Sequence, residues 1–249
     1  METEISTLAM LVLVAFAAGF VDSIAGGGGL LALPALLLAG LDPVAALATN
    51  KVQGTFGTAS ATYAFWKKGR LDVAGHWSDV ALTFAGAALG VLAVAYVPTG
   101  SLSAILPVLL IAIAAYFALS PRLREDASRP RLSYHAFTFG FAPVIGFYDG
   151  LFGPGTGSLF MLALVSLFGV GLIDATARTK LLNFISNIAS LIMFAVSGKI
   201  VWPIGLAMGV GQFVGAQIGA RLAIRNGAAI IRPLLVVVSC AMAVKLLWR

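Results

Sequence analysis

The decapeptide DSIAGGGGLL at residues 22–31 puts a carboxylate and four consecutive glycines between two apolar runs, 5–21 and 30–40. A glycine run interrupts a helix, and a carboxylate in hydrocarbon is costly. Non-helical backbone at membrane depth is tolerated where protein buries it or where it lines a wet cavity. The stretch is therefore expected to be the tip of a helical hairpin that ends inside the molecule. A second stretch of the same design, DGLFGPGTGS, occupies residues 149–158. Two such tips in one chain suggest one structural unit used twice.

Composition supports a membrane setting. Of 249 residues, 60% are hydrophobic and 10% charged, with a mean hydropathy of +0.99. A soluble domain carries about a quarter of its residues charged, so an all-α integral membrane protein is expected. The 28 glycines suit close helix contacts in lipid. The net charge of +6 comes from basic residues between apolar segments, where they set topology, and no nucleic-acid partner is expected. The single cysteine, Cys240, excludes an intramolecular disulfide and makes a thiolate metal cluster unexpected. No Lys or Arg precedes the first apolar run, which reads as mature structure and not as a signal peptide.

Apolar segments cover 5–21, 30–40, 43–66, 80–97, 102–119, 134–148, 157–172, 174–197, 201–220 and 229–248. Eight or more are expected to be transmembrane. Segments 30–40 and 157–172 are short, and each follows a glycine-rich break. Trp66, Trp77 and Trp248 at segment ends fit interfacial anchors. GFVDSIAGGGG (19–29) aligns with GFYDGLFGPGT (146–156) at an offset of 127 residues. After a two-residue insertion, TNK (49–51) aligns with RTK (178–180), and TFAGAALG (83–90) with QFVGAQIG (212–219), both at an offset of 129. The chain thus divides into repeat 1 (1–119), a basic linker (120–131) and repeat 2 (132–249), with about five helical segments in each repeat.

An inverted arrangement with the N-terminus outside and the 120–131 linker cytoplasmic places twelve of the sixteen basic residues inside, among them Arg178, Lys180, Arg221, Arg225 and Arg232. A parallel arrangement places ten there, so inverted repeats are favoured. Residues 5–40 and 132–172 then form hairpins entering from opposite faces, with their tips near the midplane.

Helices are expected to restart near Gly29–Leu30 and near Thr156–Ser158, just after the glycines. Their unpaired N–H groups and positive dipole ends would attract an anion, and Gly26, Gly27, Gly28, Gly29, Gly153, Gly155 and Gly157 let the backbone come close. Thr156 and Ser158 add hydroxyl donors. Alternatively, the glycines serve tight helix packing alone. Asp22 and Asp149 hold equivalent positions, where they could carry a proton or coupling cation, or cap the broken hairpins. Lys51 and Lys180 are also equivalent. They either face an anion or snorkel to the headgroups. One and two turns beyond Lys180, Asn183 and Asn187 share a helix face. Gly54 and Thr58 take those places in the first repeat, and Gln53, Gln212 and Gln217 are expected to bond between helices. His76 and His135 lie at segment edges, and no zinc, nucleophile-elbow or P-loop motif occurs, so neither cofactor nor metal is expected.

These motifs, GFVDSIAGGGGLLALPALLLAGLDPVAALATNKVQG with its second copy GFYDGLFGPGTGSLFMLAL and ATARTKLLNFISNIASLIMFAVSGKI, resemble the TauE/SafE family of sulfite exporters across nearly the whole chain. The resemblance implies an ATP-independent permease of the cell (inner) membrane for sulfite, sulfoacetate or related organosulfonates. It carries over to Asp22, Gly26–Gly29, Asn50 and Lys51, and to Asp149, Gly153, Pro154, Gly155, Thr156, Gly157, Thr179, Lys180 and Asn183. The second tip departs from the glycine run with Pro154 and Thr156, so the two sides of the site are expected to be unequal. An anion channel and a non-transporting membrane subunit are the competing readings. An enzyme is disfavoured, because no nucleophile–base constellation can be assembled. The G-x-x-x-G pairs fit either packing within the chain or a homodimer seam.

Overall fold

The computed structural model describes residues 5–98 and 129–226, together with 100, 101, 105 and 108. Apolar segment 229–248 lies outside these residues, as do nearly all of 102–119 and most of the 120–131 linker. So do Arg232, Cys240 and Trp248.

Among the described residues the chain is helical, without strands. Helices α1 (Ile5–Ala25), α2 (Gly28–Leu38), α3 (Pro43–Lys67) and α4 (Trp77–Val94) come from the first half of the chain. Helices α5 (Ala142–Leu151), α6 (Thr156–Ser166), α7 (Leu172–Ser197) and α8 (Trp202–Asn226) come from the second. A helical turn, Tyr134–Ala136, and a π-helical stretch, Phe137–Phe141, lead without a break into α5.

Local chemistry sets several of these ends. Asp42 caps α3, accepting from Val44 and Ala45 N–H at 3.1 Å each, with Pro43 in the first turn. Gly198 ends α7 in the left-handed region at φ 68°. Helices α2 and α6 have 11 residues each, or about 16 Å at 1.5 Å per residue. That is roughly half a hydrocarbon core. Ile5–Ala25, Ala74–Val94 and Leu172–Ser197 are long and apolar enough to span one. Helices α3 and α8 have the length, 25 residues each, but carry buried polar and glycine faces.

The first helix of each half packs on the fourth helix of the other half. Gly211, Gly215 and Gly219 of α8 lie on the α1 backbone: a Cβ at Gly215 would stand 2.0 Å from the Phe16 carbonyl oxygen. Gly86 and Gly90 of α4 meet Pro143 and Phe147 of α5 in the same way, at 2.1 Å each. The G-x-x-x-G pairs are therefore used inside the chain, where only glycine permits this approach. Contact register gives direction. Val12, Phe16 and Ser23 follow Gly211, Gly215 and Gly219 in step, and Asp79, Gly86 and Gly90 follow Thr138, Pro143 and Phe147. Both pairs thus run parallel. Helices α3 and α7 pack on each other at the centre, and Leu13, Leu89, Val144, Val196 and Val210 face outward.

Candidate functional site

The two tips touch. The Ser158 N–H donates to the Gly26 carbonyl at 3.2 Å, and the Ser158 hydroxyl donates to the Ala25 carbonyl at 2.7 Å. A Cβ at Gly26 would lie 2.4 Å from the Gly157 carbonyl carbon, and one at Gly29 would lie 3.2 Å from Pro154 Cα. Gly26, Gly153 and Gly155 have φ of 82°, 93° and 80°, so the chain reversals there need residues without a Cβ.

The aspartates sit in the last turns of α1 and α5, and each hairpin turns its new helix back over them. Helix α2 restarts at Gly28, one residue before the expected Gly29–Leu30, and the Asp22 carboxylate accepts the Gly28 N–H at 3.2 Å. At each tip, part of the set of first-turn amides is therefore already engaged. Gly28 N–H already holds a carboxylate, and Ser158 N–H already holds a carbonyl. A side chain at Gly28 would press on Asp22 Cβ at 2.7 Å, so substitution there would disturb hairpin packing itself.

Lys51 and Lys180 are each the ninth residue of their helix, counted from Pro43 and Leu172. Both reach across to the other half. Lys51 Nζ lies 2.9 Å from Asp149 Oδ2 and donates to the Asp149 carbonyl. Lys180 Nζ lies 3.7 Å from Asp22 Oδ2 and donates to the Asp22 carbonyl. The lysines are 1% and 0% exposed, which excludes snorkelling. Lys180, counted above among the cytoplasmic basic residues, is therefore no reporter of topology, and neither is the buried Arg178. The carbonyl near a helix C-terminus accepts from each buried ammonium, and the adjacent carboxylate supplies the opposite charge. Thr156 Oγ1 lies 2.7 Å from both Asp149 Oδ1 and the Gly153 carbonyl oxygen.

A narrow polar cavity lies between the tips and helices α3 and α7. Of the residues singled out in the sequence, Asp22, Gly26, Gly29, Asn50, Lys51, Asp149, Gly153, Gly155, Thr156, Gly157, Asn183 and Asn187 line it. Gly27, Gly28, Pro154, Ser158, Thr179 and Lys180 stand behind this lining. Gly54, Thr58 and Gln212 complete it. Asn50 accepts from Gln53 Nε2 at 2.8 Å, and Asn187 Nδ2 donates to the Asn183 carbonyl at 2.7 Å. Gln217 bonds Ser60 between α8 and α3, as expected of an interhelical glutamine. His76 sits 3.2 Å from the Tyr134 hydroxyl, and no group of residues suited to a metal occurs among the described residues.

Sequence reasoning missed two things. Equivalence of Lys51 with Lys180 and of Asp22 with Asp149 was visible, but their exchange across halves was not. The second is a buried cluster on α4. Asp79 accepts from the Tyr134 and Thr138 hydroxyls at 2.6 Å each and pairs with Arg178, which lies over the Tyr134 and Phe137 rings. A lone carboxylate just ahead of the apolar run 80–97 was the available signal.

The family described as sulfite exporter TauE/SafE matches residues 11–246. A probable membrane transporter protein, ORF9, from Sinorhizobium sp is 50% identical over 96% of this chain and 92% of its own. The probable membrane transporter protein YfcA of Escherichia coli K12 is 46% identical, over 97% and 90% respectively. A probable membrane transporter protein of Haemophilus influenzae is 41% identical over 100% and 97%. No solved structure matches the chain.

Proposed function

The chain belongs to the TauE/SafE family, and from that premise we propose that it is a secondary transporter for a small sulfur-containing oxyanion such as sulfite, sulfoacetate or another organosulfonate. The coarser statement, a membrane transporter, accords with its relatives and with its long apolar helices. The observation that carries the anion reading is the cavity itself. It lies where two broken hairpins meet, and it presents a buried ammonium, Lys51, among glycines and carboxamides from both halves, beside the Asp22 and Asp149 carboxylates. Paired broken helices in corresponding positions are the usual mark of a transporter site.

Direct contact between the tips, through the Ser158–Gly26 hydrogen bond, supports a carrier over an open channel. The parallel pairing of α1 with α8 and of α4 with α5 supports inverted repeats. Each first helix shares the direction of the other half's fourth, while first and fourth helices of one half run opposite ways. In this reading the protein sits in the inner membrane, with the N-terminus outside and the 120–131 linker in the cytoplasm. The G-x-x-x-G pairs lend no support to a homodimer, because they are used within the chain.

The test is thermal unfolding of purified protein in detergent against sulfite, sulfonates, sulfate, cations and neutral solutes. Stabilisation by sulfur oxyanions is expected. A response confined to cations or neutral solutes overturns the reading.

A further inference from the structure

Resting on that anion-transport reading, we infer that Asp149 is a proton-carrying site, so that each anion held by Lys51 travels with one proton, while Asp22 stays ionised as a structural cap. Charge balance comes first. Lys51, Lys180, Asp22 and Asp149 form two ion pairs and sum to zero. An anion added to this set leaves an uncompensated negative charge deep in protein and lipid, which is strongly unfavourable. A proton on one carboxylate restores neutrality and also frees an ammonium for the anion.

Geometry selects Asp149 for that proton. Thr156 Oγ1 stands 2.7 Å from Asp149 Oδ1 and 2.7 Å from the Gly153 carbonyl oxygen, but a hydroxyl has one hydrogen. With Asp149 ionised, that hydrogen goes to Oδ1. With Oδ1 protonated, the carboxyl donates to Thr156 Oγ1, and the threonine hydrogen turns to Gly153. The contacts of Thr156 with Oδ1 and with Gly153 thus serve both states without moving a heavy atom. Lys51 Nζ then keeps the Asp149 carbonyl as an acceptor and releases Oδ2 for the anion in the cavity that it lines. Asp22 has no equivalent device. The position matching Thr156 is Gly29, Asp22 Oδ1 is held by the Gly28 N–H, and Lys180 does not line the cavity.

The ionisable surroundings of Asp149 are few. Helix α3 brings Lys51, its own helix brings Tyr148, and Asp22 of α1 faces the same cavity with Lys180 of α7 behind it. Helix α6 carries no ionisable residue, and Asp79 of α4 is engaged with Arg178 about three turns away.

The experiment uses the full chain in proteoliposomes containing a pH-sensitive dye, with methanesulfonate as the probe because it stays a monoanion throughout the range tested. Wild type is expected to move about one proton per methanesulfonate and to leave the membrane potential unchanged. Asp149→Asn should lose at least tenfold of the proton uptake that methanesulfonate provokes, and the methanesulfonate binding that it retains should no longer vary with pH. Thr156→Ser should keep coupling, and Thr156→Val should shift the pH at half-maximal flux. Proton uptake on adding methanesulfonate to detergent-purified protein gives a second measure, free of any folding or insertion defect in the variants. Anion flux or binding without proton movement overturns this inference and leaves the transporter reading standing. Wild type that neither binds nor moves any sulfur oxyanion overturns both.

Discussion

Lys51 stands 2.9 Å from Asp149 and lines the cavity, whereas its counterpart Lys180 stands 3.7 Å from Asp22 and lies behind the lining. The two pairs come from matching positions in the two repeats, yet their surroundings differ. Asp149 has the Thr156 hydroxyl as a neighbour, while Asp22 has the Gly28 amide. The difference extends outward. Arg178 and Asp79 form a buried pair on one side of the bundle, and the matching positions on the other side hold Thr49 and Met208. Thr49 there accepts the Val201 N–H at 3.0 Å. Matching sequence positions thus stand in surroundings of unequal chemistry.

The largest expected effect lies in the central pairs. Lys51→Met leaves the Asp149 carboxylate buried without its partner and should cost about 3–5 kcal/mol, read by thermal unfolding in detergent. Lys180→Met should cost measurably less, since Asp22 keeps its Gly28 cap. Equal losses would show that the halves are energetically alike and break the comparison.

Next comes the outer pair. Arg178→Thr alone should destabilise by about 3 kcal/mol, while Asp79→Met combined with Arg178→Thr, which copies the first half's residues, should recover most of that loss. If the double variant is as unstable as the single one, Tyr134 and Thr138 depend on Asp79 more than Arg178 does.

The smallest effect is expected at Thr49. Thr49→Val removes one hydrogen bond to Val201 and should cost about 1 kcal/mol, measured by the same unfolding assay. A loss matching that of Arg178→Thr would mean that the two sides carry similar loads despite their different chemistry.

Much of this was legible in the residues. The hairpin breaks at Gly26 and Gly153 could be read because helices do not tolerate glycine runs, and the repeat because Asp22, Lys51 and Gly86 each recur at a nearly constant spacing. The equivalence of the lysines was legible for the same reason. Their partners were not. Asp22 is closer in sequence to Lys51 than to Lys180, and no local pattern announces that each ammonium reaches the opposite half. Nor does sequence say whether a glycine's amide is free, and the capture of Gly28 N–H by Asp22 depends on how tightly the hairpin closes.

The amino-acid sequence by itself determined the membrane class, the two broken hairpins and the set of polar residues available to a site. These follow from composition and local backbone preference, which act over a few residues. Tertiary structure decided which aspartate meets which lysine, which of the two pairs faces the cavity, and that the α8 glycines lie against α1. Those outcomes depend on helix direction and register between distant segments, where a buried charge is stable only beside whatever partner the packing brings to it.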